Sequence, residues 1–164
     1  MMGRILLPFL DMMRFRSGPQ DLPASRGFTL ILATLYISGG FLAGNVLDEP
    51  DYSQRAMMAI AVQFSFIILL LKLKGFQGRK QQTVSALSGT GFLFGLMSIY
   101  LLSLVNIEKP QAELAALYFV LFIWSLAVDG HIYRRALSSK MGTGVLVAVT
   151  IFSINFILLR TLFG

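Results

Sequence analysis

The chain reads as an all-α integral membrane protein, with five transmembrane helices preceded by a short interfacial amphipathic helix. Three observations predict this. Five stretches are apolar for long enough to cross a bilayer, at about 27–47, 56–73, 84–105, 114–133 and 142–162. With 55% hydrophobic residues, only 13% charge and a mean hydropathy of +0.72, the 164 residues are too apolar for a soluble domain of that size. The segments flanking these stretches are basic, acidic, basic, acidic and basic in turn. A spanning helix needs about 20 apolar residues, because the hydrocarbon core is about 30 Å thick and each residue rises about 1.5 Å. Within that core the backbone must satisfy its own hydrogen bonds, which leaves a helix or a closed barrel. The apolar runs are continuous rather than alternating, so they are helices.

The charge pattern predicts orientation. Most of the 14 lysines and arginines fall in three segments: Arg4, Arg14, Arg16 and Arg26; Lys72, Lys74, Arg79 and Lys80; and Arg134, Arg135 and Lys140. The other connections carry Asp48, Glu49, Asp51, Glu108 and Glu113 against Arg55 and Lys109. Short basic loops stay in the cytoplasm, which puts the N-terminus inside, the C-terminus outside and the protein in a bacterial cytoplasmic (inner) membrane. Arg160 falls at the outer end of the fifth span, where it can snorkel to the headgroups. Topology and attraction to anionic lipid account for the net charge of +6, so no nucleic-acid partner is expected. There is no cysteine, which excludes disulfides, thiolate chemistry, iron–sulfur ligation and cysteine zinc sites.

Residues 1–26 form an N-terminal segment and 27–164 a single five-helix domain. In MMGRILLPFLDMMRFR, Ile5, Leu6, Phe9, Leu10, Met12 and Met13 fall largely on one side, and Arg4, Asp11 and Arg14 on the other. That is an amphipathic helix too short and too charged to span, suited to the headgroup layer. The run Ile5–Leu10 is short, contains Pro8 and meets Asp11, Arg14 and Arg16, unlike a cleaved signal peptide. Gly18-Pro19 and Leu22-Pro23 are turn dipeptides that make an elbow before the first span. Ser25 is placed to N-cap that span, and Asp21 to cap a turn beginning at Leu22-Pro23. Besides a rigid elbow, Arg14, Arg16, Gln20 and Asp21 are candidates for contact with a partner or lipid headgroups.

Small residues four apart, Gly40 and Gly44 in the first span and Gly91 and Gly95 in the third, allow close helix approach. Ser85 and Gly89 repeat the spacing. Packing of spans one and three within the chain is the first expectation and self-association the alternative. The fourth span either ends at Val128, leaving Asp129 and His131 at the surface, or runs to Tyr133. Trp124 favours the shorter version, since interfacial tryptophan sits at headgroup depth.

Polar side chains deep in a membrane are costly. Gln63, near the middle of span two, and Asn155, near the middle of span five, are the candidate intramembrane polar contacts, either as an interhelical amide pair or on a solute path. No charged residue is expected in the central part of a span, which argues against proton-coupled transport and voltage sensing. Asp129 and His131 are two apart and do not share a helix face. They read as a juxtamembrane cap, with Arg134 and Arg135 among the headgroups. No nucleotide, hydrolase or zincin motif occurs, so no catalytic residue, metal ligand or cofactor is expected.

In layout, with GPQDLPAS before the first span and IWSLAVDGHIYRRALSSKMGTG between the fourth and fifth, the chain resembles the Yip-domain family of small membrane proteins. The resemblance implies a non-enzymatic protein that binds other membrane proteins or shapes membranes. The expectation is a non-catalytic accessory, assembly or scaffold subunit of a membrane complex, in contact with lipids and with other membrane proteins or itself. The alternative is an oligomeric lipid or small-solute transporter or channel.

Overall fold

The computed structural model describes residues 3–47, 51–105 and 111–164. Asp48, Glu49, Glu108 and Lys109, on which part of the charge argument rests, lie outside the described residues, as do the side chains of Arg4 and Ile5. The described chain is helical throughout, with α1 at Gly3–Met13, α2 at Arg26–Leu47, α3 at Tyr52–Leu73, α4 at Lys80–Ser103, α5 at Ala112–Ala136 and α6 at Met141–Phe163. Helices α2 to α6 are each long and apolar enough to cross a membrane. Short 3₁₀ turns at Pro19–Asp21 and Gln77–Arg79 complete the described elements.

The helices overrun the apolar windows. α3 starts at Tyr52 rather than near 56, and α4 at Lys80 rather than near 84, because flanking Gln, Lys and Arg are good helix formers. α5 runs past both ends considered for it and stops at Ala136. Nothing in its DGHIYRR stretch breaks a helix, and Gly130 is tolerated because it lies where α6 crosses. A Cβ there would come within 3.1 Å of the Val145 backbone. The reciprocal contact is tighter: a Cβ on Gly144 would overlap the Gly130 carbonyl and touch Arg134. α5 and α6 thus meet backbone to backbone.

α4 is the central helix, and residues 83–90 are buried without interruption. α2 lies along it more extensively than any other pair packs. A Cβ on Gly91 would come within 2.7 Å of the Tyr36 ring, and one on Gly39 within 3.2 Å of Phe92. Gly40 instead faces Ala56 of α3 and Gly44 faces Ser53, whereas Gly95 has no neighbour within 4 Å. Two buried hydroxyls of α4 are answered locally, Thr83 donating to Arg79 O and Thr90 to Ala86 O. Ser85 shares a 2.9 Å bond with Thr29 of α2, and Ser88 Oγ is buried with no hydrogen-bond partner.

The N-terminal segment differs from its expectation. α1 does not present one continuous apolar face. Phe9, Met12 and Met13 are buried in the core, while Leu6, Leu7 and Leu10 are exposed. Two complementary features of the bundle draw it in. Gly89 leaves a notch on α4 filled by the Phe9 ring, and the Trp124 indole of α5 donates to Met13 O at 2.9 Å. Trp124 is therefore held edge-on to Phe94 and bonded to α1, which is a different role from the headgroup anchor expected of it. Pro8 is accommodated inside α1, and its carbonyl accepts from Ser17. Asp21 also acts otherwise than expected. Its carboxylate accepts from the Gly18 N–H at 2.8 Å, closing the turn that precedes Leu22-Pro23 rather than the one that follows. Ser25 accepts from the Phe28 N–H at 3.4 Å, at the N-cap position of α2.

The elbow, the α3–α4 connection and the α5–α6 connection meet at one end of the bundle. Gln82 donates to Leu22 O at 2.7 Å, and Arg79 to Ala136 O at 3.0 Å. Arg55 and the C-terminal Phe163 lie at the other end, the guanidinium 5.6 Å from the ring centroid.

The notch makes a specific demand. Gly89→Val is expected to expel Phe9, lower stability by about 1–3 kcal/mol as overpacked cores do, and speed tryptic cleavage at Arg14 and Arg16. Gly95→Ala is expected to leave the melting temperature unchanged or slightly raised, since Ala favours a helix by about 1 kcal/mol over Gly. Thermal melting and limited proteolysis in detergent check both.

Candidate functional site

Gln63 lies midway along α3, and its amide donates to two groups of α5: Asp129 Oδ2 at 3.1 Å and the Tyr133 hydroxyl at 3.0 Å. The two hydrogens of one amide nitrogen suffice for both. Ser125, Asp129 and Tyr133 are four residues apart and so form one stripe on α5. The bond draws the Asp129 carboxyl into the bundle, away from the end of α5. Gln63 is about 16 Å from either end of α3, at about 1.5 Å per residue, and Asp129 is at its level. Asp129 is neither a surface cap nor at the end of its helix.

Around this contact are two cavities. One, of about 280 Å³, includes Tyr36, Gly40, Gly91 and Tyr118 in its wall; the other, of about 320 Å³, includes Tyr133, Phe152 and Asn155. Tyr36, Ala59, Gln63, Ser125 and Asp129 line both. The bonded pair thus lies where two partly open cavities between the helices adjoin. The described lining of both is mostly apolar, carries the Asp129 carboxyl and includes no Lys or Arg.

Asn155 does not pair with Gln63. Its amide donates weakly to Ala59 O at 3.4 Å, and its Oδ1 is buried with no hydrogen-bond partner. The two residues singled out in the sequence thus share a cavity wall without touching. The group that connects to Gln63 is the Asp129 carboxyl, which a span ending at Val128 would have left at the surface.

His131 is almost fully buried on another face of α5. Its Nε2 is 2.8 Å from Ser17 O and its ring stands edge-on to Phe15. Because a carbonyl only accepts, that nitrogen carries the hydrogen. His131 ties the N-terminal segment to the bundle and has no part in the Asp129 cluster. Among the described residues no group of three or more His, Cys, Asp or Glu could hold a metal ion.

The remaining candidates divide. Gln20, Arg134 and Arg135 line a separate cavity at the basic end, together with Arg79, which the sequence reading treated only as a topology signal. Arg14 and Arg16 are exposed and do not line it, and Asp21 is engaged by Gly18. The 125–129–133 stripe was the available signal for the central cluster, since a polar residue on every turn of an apolar helix marks a polar face. Compared with known proteins, the chain matches no family model, no curated protein and no solved structure.

Gln63→Leu leaves the Asp129 carboxyl and the Tyr133 hydroxyl unanswered and is expected to cost about 1–3 kcal/mol. Gln63→Leu with Asp129→Leu is expected to recover part of that loss. A double-mutant cycle by thermal or denaturant unfolding in detergent reads the coupling; purely additive losses would mean that the two side chains do not interact.

Proposed function

We propose that this is a multi-pass membrane protein that binds and conducts a small cationic solute, a protonated amine or a monovalent cation, through its central polar cluster. The single observation behind this reading is the Asp129 carboxyl bonded to Gln63 where two cavities between the helices adjoin. An ionisable side chain in a spanning helix is expensive to keep and is retained where a path or site needs it. Asp129, the unpartnered Asn155 Oδ1 and the Tyr36 and Tyr133 hydroxyls offer oxygens to such a solute. The Gln63 amide is the donor that a solute would displace from Asp129. Binding and conduction require no covalent step, so the protein on this reading is non-catalytic and needs no cofactor.

The orientation belongs to the same proposal: basic end in the cytoplasm, C-terminus outside, in a bacterial cytoplasmic membrane, with the exposed Leu6, Leu7 and Leu10 of α1 against lipid near that end. The resemblance in layout to Yip-domain proteins remains part of the proposal, supplies no residue role and favours the second reading below. Reporters fused at the two chain ends are expected on opposite sides of the membrane, and the same side for both would rule out five crossings.

A second reading, an accessory or scaffold subunit, draws on α5. From residue 112 to residue 120 every residue but Leu114 is exposed, so the first turns of that helix offer an apolar surface to a partner helix. One reconstitution separates the two. In proteoliposomes the purified protein is expected to take up methylammonium or potassium, and Asp129→Asn to abolish uptake while keeping the elution volume of wild type. No uptake by wild type would remove the solute reading. If a stoichiometric membrane partner also survives mild-detergent purification, the subunit reading takes its place.

A further inference from the structure

The cavity at the basic end has a volume of about 610 Å³, and its polar lining comes from Gln20, Arg79, Gln82, Arg134, Arg135 and the serines that follow α5. It shares no lining residue with the two central cavities. Its wall includes three arginines, Arg79, Arg134 and Arg135, and no carboxylate is among its described lining residues. Like charges gathered without a counter-charge repel, so the arrangement calls for an anion.

The local structure holds these groups in place. Arg79 sits across the C-terminal end of α5, with Nη1 donating to Ala136 O at 3.0 Å and to Ser138 Oγ at 2.6 Å. Its guanidinium carbon is 4.5 Å from the Phe76 ring centroid, so the side chain is clamped by stacking as well as by hydrogen bonds. Ser138 has a left-handed backbone (φ 49°), an unfavourable conformation for a residue with a Cβ. That turn returns the Ser139 N–H to Arg134 O at 2.9 Å and brings Ser139 beside the three arginines. Two polar atoms of this wall, Arg134 Nε and Ser139 Oγ, are buried with no hydrogen-bond partner. Buried donors are normally satisfied, and a bound acceptor would satisfy both.

We propose that this cavity binds a phosphate group, as a monoester or a diester. Guanidinium forks match the paired oxygens of phosphate, and serine hydroxyls and glutamine amides complete such a site. The phosphate could belong to an anionic phospholipid headgroup or to a soluble ion or phosphorylated metabolite. The recognising groups are the same for either source.

The test uses the delipidated full-length protein in neutral detergent. Inorganic phosphate is added against chloride at matched ionic strength with calorimetric readout. Phosphatidylglycerol is added against diacylglycerol with native mass spectrometry. Wild type is expected to bind phosphate, phosphatidylglycerol or both in preference to the comparator. Arg134→Gln is expected to weaken binding about tenfold, the worth of one charge-assisted hydrogen bond. Lys74→Gln removes the same charge outside the cavity and is expected to bind as wild type does. Binding of inorganic phosphate identifies a soluble source, and binding of the lipid alone identifies a headgroup site. Should Arg134→Gln fail to fold, Ser139→Ala and Arg135→Gln, each expected to weaken binding, carry the comparison. Absence of phosphate and phosphatidylglycerol binding, or equal losses in the cavity variants and Lys74→Gln, would overturn the proposal.

Discussion

Close approach of helix backbones is the constraint on which the rest of the bundle depends. Helices as apolar as α2 to α6 gain little by hiding from one another when their surroundings are equally apolar, so their association rests on contact distance and on a few hydrogen bonds. Glycine supplies the distance at three places. Gly130 and Gly144 let α5 and α6 touch at the main chain, Gly91 receives the Tyr36 ring where α2 meets α4, and Gly89 receives Phe9. The α5–α6 contact fixes the rotation of α5 and with it the direction in which the 125–129–133 stripe faces. Hydrogen bonds then select within the geometry that packing allows, above all the two made by Gln63.

The five long helices were legible because apolarity accumulates along the sequence without reference to anything distant in it. The N-cap at Ser25 was legible for the same local reason. What escaped the sequence depends on partners far along the chain. Gln63 and Asp129 are 66 residues apart, and no property of either residue alone announces the bond. The run AVDGHIYRR reads equally well as the polar end of a span or as a helix continuing with a polar face. The outcome is set by α6 and α4, which pack against it, and by the Gln63 hydrogen bonds from α3. Docking of α1 was hidden likewise, since it depends on a notch in α4 and an indole in α5. The small-residue pairs gave the correct helices in part only: Gly91 serves the α2–α4 contact, Gly40 and Gly44 face α3, and Gly95 meets nothing within 4 Å.

α5 changes character along its length, and that gradient organises the chemistry. Its first turns are exposed and apolar, its middle carries the acceptor-rich stripe, and its end gives its carbonyls to Arg79 and its arginines to the basic cavity. The two polar regions are opposite in sign and only about two turns apart, Asp129 to Arg135 being about 9 Å along the axis at 1.5 Å per residue. On the solute reading, a cation leaving the central cluster toward that end would face a field that repels it unless the arginines are neutralised. Occupancy of the basic cavity and passage through the centre would then be linked through a shared helix, with no moving part required.

The hydrogen bond from Trp124 to Met13 has a spectroscopic consequence. The chain has a single tryptophan, so its ultraviolet-excited emission comes from one indole whose N–H is engaged by the last residue of α1 and whose ring lies against Phe94. Undocking of the N-terminal segment would free that N–H and wet the ring, shifting the emission to the red. The unmodified protein therefore carries its own optical reporter of whether the N-terminus is seated.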